Sequence, residues 1–304
     1  MELEVTKEHS GKTVLYILTQ VLGLSRGMIK HLKFLDDGII LNEKKVTVRC
    51  VVNEGDKLYL NTEGEEESKI EPVELPLRVV YEDDDLVVPD KPPFMPTHPS
   101  HDHYADTVAN ALAYRYKNVG ESFVFRPVNR LDRNTSGLLI IARSRIAAAK
   151  LYRSMLKKEI RKKYIAILDG VPSEKSGTIE TYMRRTAQSI IVREVCGEGE
   201  GGDLAITEYR VLLENGRYSV VLAEPITGRT HQLRVHFSSI GCPIVGDDIY
   251  GRESDLIARH ALHAASLSFS HPSDGRNMVL KAPLHDDMRL LFDKLFGDEV
   301  LDYE

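Results

Sequence analysis

The sequence predicts an α+β fold in two parts, a small α/β unit over residues 1–62 and a larger domain over 77–304, joined by an acidic linker over 63–76. Three observations predict it. Alternating apolar residues flank Asn215-Gly216, between "ITEYRVLLE" and "RYSVVLAE", which is a strong hairpin signal. Hairpins are interspersed with stretches of helical periodicity, a pattern that does not suit a regular βαβ array. Between the two regions, "NTEGEEESKIEPVELP" at 61–76 is acidic and interrupted by Pro72 and Pro76, the composition of an exposed linker.

In the first unit Val14, Ile17, Leu18 and Val21 recur at helical spacing, and Gly23 stops the run. Ser25 caps a second helix over roughly 26–35, on which Arg26, Lys30 and Lys33 make one basic stripe. "IILN", "KKVTV" and "DKLYL" follow as short strands. In the larger domain "LRVVYEDDDLVVPDKP" gives two strands around an acidic turn, and a helix spans about 105–117. "SGLLIIARS" reads as one strand buried on both faces, Ser144 caps the helix "RIAAAKLYRSMLKK", and "KYIAILDG" is a further strand. Thr230 caps a helix over 231–240, with Leu233, His236, Phe237 and Ile240 on one face and Gly241 as its stop. Leu284, Met288, Leu291, Phe292 and Leu295 make a last amphipathic helix.

Composition narrows the class. No apolar run approaches the ~20 residues that a membrane-spanning helix needs, and the N-terminus has no basic start followed by an apolar stretch. Cys50, Cys196 and Cys242 are odd in number and far apart, which suits free thiols in a reducing, cytoplasmic setting. The net charge of −6 conceals an asymmetry. Residues 126–164 carry twelve Lys/Arg against two acids, whereas 63–85 carry ten acids against two bases. A basic centre of this kind points to a polyanionic partner or to a solvated helix face. "SGKT" at 10–13 is not a phosphate loop, because Thr6 stands where that motif needs glycine. His98, His101 and His103 cluster on a proline-flanked loop without further ligands at suitable spacing, so no metal is expected.

Two stretches carry chemistry. In "NRLDRNTSGLLIIA", Asp132 sits among arginines on a turn of Asn134, Ser136 and Gly137, with an apolar strand behind it. A carboxylate held there and kept ionised by cations suits covalent or acid–base work, and equally a structural Arg–Asp pair. In "PITGRTHQLRVH", Gly228, Arg229 and Thr230 stand at a helix mouth, as a phosphate cradle or a simple cap.

Together these stretches resemble one family, the RluA/RluD-type pseudouridine synthases that modify ribosomal and transfer RNA. Besides "NRLDRNTSGLLIIA", the landmarks "DKPPFMPTHP" at 90–99, "KKYIAILDG" at 162–170, "GRTHQLRVH" at 228–236, "GCPIVGDDIYG" at 241–251 and "RHALHA" at 259–264 lie in the family's order. Residues 1–62 resemble a small RNA-binding domain known from a ribosomal protein. The resemblance implies a catalytic domain with a mixed, mainly antiparallel sheet. It implies Asp132 as the catalytic aspartate, Tyr164 packed on the target uracil as a candidate base, and Arg229 paired with the aspartate. Arg130 would lie near the flipped nucleotide and Leu262 beneath the tyrosine. Lys91 and Gln232 would join the substrate contacts, and Arg26, Lys30 and Lys33 the RNA contacts. Asn129 and Asp90 depart from the usual His and Asn.

The implied reaction converts uridine within RNA to pseudouridine, with Asp132 attacking the ribose anomeric carbon or the uracil ring. No cofactor or metal is expected, and a monomer is the simplest state. Two rival classes are an RNA-binding assembly factor or chaperone with a secondary catalytic role, and a glycosidase. The latter wants a second acid near the first, and these motifs offer none.

Overall fold

The computed structural model describes residues 2–22, 24, 26–61, 70–189 and 191–302, and for residues 26–28 the backbone only. Gly23, Ser25, the side chain of Arg26 and the linker residues 62–69 lie outside the described residues.

The N-terminal unit contains β1 (Glu2–Glu4), the helix α1 (Val14–Tyr16) with a π-turn over Ile17–Val21, and α2 (Arg26–Phe34). The strands β2 (Ile39–Leu41), β3 (Lys44–Lys45) and β4 (Lys57–Leu60) complete it. The four strands form one antiparallel sheet in the order β1-β4-β2-β3. Val14, Ile17, Leu18, Leu32, Leu58 and Leu60 are wholly buried between helices and sheet. Thr13 caps α1 through its hydroxyl, which accepts the Tyr16 amide (3.2 Å).

Residues 70–76 carry no regular structure but are tied down: Val73 N donates to Asn110 O (3.2 Å) and Asn110 Nδ2 to Glu71 O (2.8 Å). From there the chain builds β5 (Arg78–Glu82), β6 (Leu86–Lys91), α3 (Val108–Asn118), β7 (Arg126–Pro127), β8 (Ser136–Leu138), β9 (Ile141–Ala142) and α4 (Arg145–Leu156). It continues through β10 (Arg161–Asp169), β11 (Ser176–Arg185), β12 (Arg193–Cys196), β13 (Asp203–Glu214) and β14 (Tyr218–Pro225). The last elements are α5 (Gln232–Ser239), β15 (Leu262–Ser270), β16 (Asn277–Lys281) and α6 (Asp286–Phe296). The twelve strands make one sheet in the order β12-β11-β13-β14-β10-β15-β8-β6-β9-β7, with β16 beside β15 and β5 beside β6. Every pair is antiparallel except β15–β8, so the sheet is mixed and mainly antiparallel.

Local sequence signals account for much of this. Ser144 Oγ accepts the Ala147 amide (3.0 Å) at the start of α4, and Thr107 with Asn110 forms a capping box on α3. Asn215 Oδ1 accepts the amide of Tyr218 (2.8 Å) in the β13–β14 hairpin, where Gly216 takes φ +85°. Two expectations differ. "SGLLIIARS" is not one strand: β8 pairs with β6 and β15, β9 with β6 and β7, and Leu139 and Ile140 carry the chain between them. Thr230 does not cap α5; His231 occupies the cap in the left-handed region (φ +59°) with no side-chain cap bond. Among the described residues no helix is long and apolar enough to cross a membrane.

Candidate active site

A cleft of about 860 Å³ opens between the turn 127–135, the C-terminal end of α4, the start of β10 and the loop 225–234. Asp132, Arg130, Tyr164, Arg229 and Leu262 all line it, so the structure brings these predicted residues together. Asp132 stands on the turn before β8, closed by Thr135 N on Asp132 O (3.1 Å), and its side chain is about one-third exposed (31%).

The turn is braced from three directions. Gly137, at φ +109°, lies so close to β15 that a Cβ there would stand 2.3 Å from Ala264 O. Arg259, wholly buried, donates to Asn134 O (2.9 Å), Leu262 O (3.1 Å) and Ser136 Oγ (3.2 Å) while gripping Asp287 of α6 with two nitrogens (2.6 and 2.9 Å). Thr135 Oγ1 and His260 Nε2 share a hydrogen bond of 2.8 Å, and Ser136 Oγ and His263 Nδ1 share one of 2.9 Å. The "NTSG" sequence is therefore the surface by which the turn that carries Asp132 is pinned to β15 and the residues just before it.

Lys91 is part of the same bracing, which corrects its expected role as a substrate contact. It is fully buried, and its Nζ donates to Pro92 O (3.0 Å), Met95 O (2.8 Å) and Arg133 O (2.9 Å). Burial, then the charge of Arg259, pulls its pKa down to about 7. Three carbonyl acceptors use all three protons of an ammonium, so the geometry favours the charged form. Gln232 lines the cleft, but its polar atoms are all engaged by the protein. Its amide is saturated: Oε1 accepts from Thr227 Oγ1 (2.7 Å) and Arg229 N (3.0 Å), and Nε2 donates to Ile206 O (2.9 Å) and Thr207 Oγ1 (3.0 Å).

Arg229 does not pair with Asp132. Its guanidinium donates to Leu204 O (3.0 Å) and lies 3.5 Å from Asp203. The cation that faces the aspartate is Arg234 of α5, with Nη1 3.9 Å from Asp132 Oδ2. Arg234 is 4% exposed and held by a bidentate pair with the buried Asp247 (both contacts 2.7 Å) and by the ring of Tyr250, 5.1 Å away. Burial alone would lower its proton affinity, but the hydrogen bonds and charge of Asp247, then the charge of Asp132, raise it. His231 Nε2 also lies 3.9 Å from Asp132, with Nδ1 on Tyr250 Oη (2.8 Å). Burial holds His231 below the usual imidazole range despite the nearby acid. Arg234, His231, Asp247 and Arg259 were not picked out from the sequence. The available signal was an arginine flanked by Leu233 and Val235 on a buried helix, a position that demands an acid partner.

Tyr164 (8% exposed) shares the cleft-facing side of β10 with Lys162. The β10–β15 register shifts just before it, Lys163 pairing with Ser266 and Tyr164 with Ala264, so β15 carries one extra residue there. Burial, then the charge of Asp132, pushes the phenol's pKa up, so the ring is neutral at ordinary pH and is not a resting base. Leu262 opens β15, buried and paired with Ala166.

The sequence departures acquire contacts. Asn129 Oδ1 accepts Ile140 N (2.8 Å), while its buried Nδ2 has no partner among the described residues. Asp90 is buried against His285 Nε2 (3.0 Å). The basic stretch 143–163 is less free than its composition suggests. Arg143 binds Asp83 O (2.6 Å), Lys150 binds Pro272 O (2.8 Å), and Arg161 binds Glu224 (2.5 and 2.9 Å). Arg153 donates to Thr19 O and Gln20 O of the N-terminal unit, whose core also receives Ile146 and Ala149. Lys30 and Lys33 are exposed on α2. Asp83, Asp85 and His271 lie close enough for a metal, but Arg276, Ser273 and Tyr81 already engage the two carboxylates.

The family model for RNA pseudouridylate synthases matches residues 85–239, which holds the turn 127–135, α4, β10 and α5. The chain belongs to the RNA pseudouridylate synthase family. It is 38% identical to "Ribosomal large subunit pseudouridine synthase D" of Zymomonas mobilis, over 74% of each chain. It is 34% identical to "Uncharacterized RNA pseudouridine synthase YhcT" of Bacillus subtilis, over 96% of each chain. Among solved structures, human RNA pseudouridylate synthase domain containing 1 aligns with a TM-score of 0.56 and 32% identity, covering 72% of this chain and 86% of that one. As an RNA pseudouridine synthase, the chain is an isomerase that turns uridine in RNA into pseudouridine, and the cleft around Asp132 is its candidate centre.

Proposed function

We propose that Asp132 is the nucleophile of this isomerase and that its substrate is a uridine of ribosomal RNA. The observation that carries the reading is a carboxylate on a triply braced turn, facing one buried arginine in a cleft deep enough for a nucleotide. The ribosomal assignment rests on relatives named for the large ribosomal subunit.

The target base must leave its stack, at a cost of a few kcal/mol that is smaller in loops. Arg234 faces the Asp132 carboxylate from 3.9 Å as it attacks, and Tyr164, its proton retained, offers a ring face to the uracil. The bond from ribose C1′ to ring nitrogen 1 breaks, the uracil turns, and C1′ bonds to ring carbon 5. Carbon 5 then loses its proton and nitrogen 1 gains one. The Asp132 carboxylate, bonded to C1′ while the uracil turns and displaced again as carbon 5 bonds there, is then the anionic base of the cleft. Atoms balance without electron transfer or a group donor, so the chemistry calls for no cofactor. Exposed Arg130 and Arg229 would hold backbone phosphates at the rim, and the basic face of α2 would extend the RNA contact.

The test maps pseudouridines in total RNA from cells with and without the protein, and in cells carrying Asp132→Ala. One or more sites should vanish in both the deletion and the Asp132→Ala strain. Retention of those sites in the Asp132→Ala strain would overturn the mechanism. Full rescue of a deletion's growth defect by Asp132→Ala would make RNA binding the main role.

A further inference from the structure

Two lysines of the catalytic domain are nearly hidden, and they are satisfied very differently. Lys91 spends its three protons on three carbonyls. Lys162 is 8% exposed, yet among the described residues the one recorded acceptor for its Nζ is Met155 Sδ, at 3.8 Å. Thioether sulfur is a weak acceptor, and a buried ammonium without an anion is costly. Among the described residues no carboxylate lies within salt-bridge distance of it, and burial alone pulls its pKa down. Its place is specific. Lys162 lies two residues before Tyr164 on the same side of β10 and lines the cleft with it. Across from it the loop 225–230 presents Gly228, where a Cβ would stand 3.9 Å from Nζ, so bare backbone faces the ammonium.

We propose that Lys162 is an internal seat for a backbone phosphate of the target nucleotide. The inference rests on the chain acting on RNA, and it separates Lys162 from the rim cations, which grip the strand outside the cleft. A nucleotide drawn into the cleft brings its phosphate with it into a poorly hydrated space. A phosphate there supplies the strong acceptors that Lys162 lacks, and the bare Gly228 leaves room for it. The free enzyme tolerates an unpaired buried charge because the substrate completes it.

Lys162→Met tests this, since it keeps the length and apolar packing of the side chain and removes the charge. KM for the RNA mapped above should rise about tenfold, with kcat changed less than about threefold. The slope of log affinity against log salt should become shallower by about 0.7, the loss of one phosphate contact on a single strand. Tm should hold or rise, because an uncompensated charge has gone. Lys162→Arg should keep the salt slope. A substrate-side arm is independent of how the variant folds. A neutral methylphosphonate at one linkage flanking the target uridine should weaken the unaltered enzyme, and should cost Lys162→Met nothing further. Unchanged KM and salt slope in Lys162→Met, or equal sensitivity of both proteins to methylphosphonate at every flanking linkage, overturns the proposal. An unaltered protein that forms no pseudouridine in any RNA overturns the functional reading instead.

Discussion

Asp132 owes its setting to a residue thirteen positions before that residue's own partner. Arg234 reaches the aspartate because Asp247 fixes the other side of its guanidinium, and Tyr250 covers its face. Arg229, five residues earlier, is turned away onto Leu204 O. The two arginines therefore predict opposite outcomes. Arg229→Ala should lower kcat less than about fivefold and act mainly on RNA affinity, as a rim charge does. Arg234→Met should abolish most activity and destabilise the fold by about 3–5 kcal/mol, because it strands Asp247 without a partner. The double variant Arg234→Met/Asp247→Leu separates the two effects. Replacing both members of a buried pair restores much of the stability, but no cation then faces Asp132, so activity should stay lost. Denaturant midpoints and single-turnover rates on the four proteins measure both quantities. Recovery of rate along with stability would show that Arg234 acts through folding alone.

Elements of this fold were legible where the signal is local and obscure where it is not. The cap at Ser144, the Asn215-Gly216 turn and the amphipathic α6 each read from a few adjacent residues. The strands β11, β12, β15 and β16 have no comparable signature. β15 is buried on both faces and so lacks alternation, and its neighbours β8 and β10 are remote in sequence. The candidate site divides the same way. Asp132 and Tyr164 lie in compact motifs, whereas the partners of Arg234 and Lys91 are set by tertiary contact and have no signal in adjacent residues. The turn–β15 contact predicts that Gly137→Ala is severe: a methyl group 2.3 Å from Ala264 O at φ +109° must push the turn and the strand apart. A loss of about 2–3 kcal/mol with a large fall in kcat is expected, and a Tm within 1–2 °C of the parent would contradict it. The helix α4 carries a different prediction. One stripe, Ile146, Ala149 and Arg153, packs on the N-terminal unit, while Tyr152, Met155 and Leu156 line the cleft. Arg153→Ala removes charge-assisted bonds to two carbonyls, worth about 1.5–3 kcal/mol. Hydrogen exchange should then quicken in the N-terminal helices and not in β10 or β15. Equal quickening in both regions would mean that Arg153 serves the whole fold and not the docking of one unit.

At the scale of the molecule, acid is the condition that should reveal how the large sheet is held. Three histidines, His263 of β15, His260 just before it and His236 of α5, sit wholly or almost wholly buried in or against it. Burial is the main cause that lowers the pKa of each, to about 4 for His236 and His263 and well below the usual value for His260. Each is neutral in the fold, with His236 between Thr181 and Thr207 hydroxyls (3.0 and 2.9 Å) and His263 against Ser136. The unfolded chain takes up protons at these imidazoles near the usual ~6.5, and the folded chain does not until about pH 4. Stability is therefore full above pH 6.5 and is lost as pH falls through the window from about 6.5 to 4, by on the order of 3 kcal/mol for each of His236 and His263 at its lower end. The buried carboxylates act later. Asp247 and Asp287, held down by Arg234 and Arg259 against the opposing effect of burial, lose their contribution only as pH falls below the ordinary aspartate range. Denaturant midpoints measured from pH 8 to 4 should hold level and then fall steadily below about 6.5, before any carboxylate titrates. His236→Gln should flatten part of that fall, because glutamine keeps polar contact with the two threonines and cannot take up a proton. A midpoint that stays level down to pH 4.5 would mean that these imidazoles bind protons without opening the sheet.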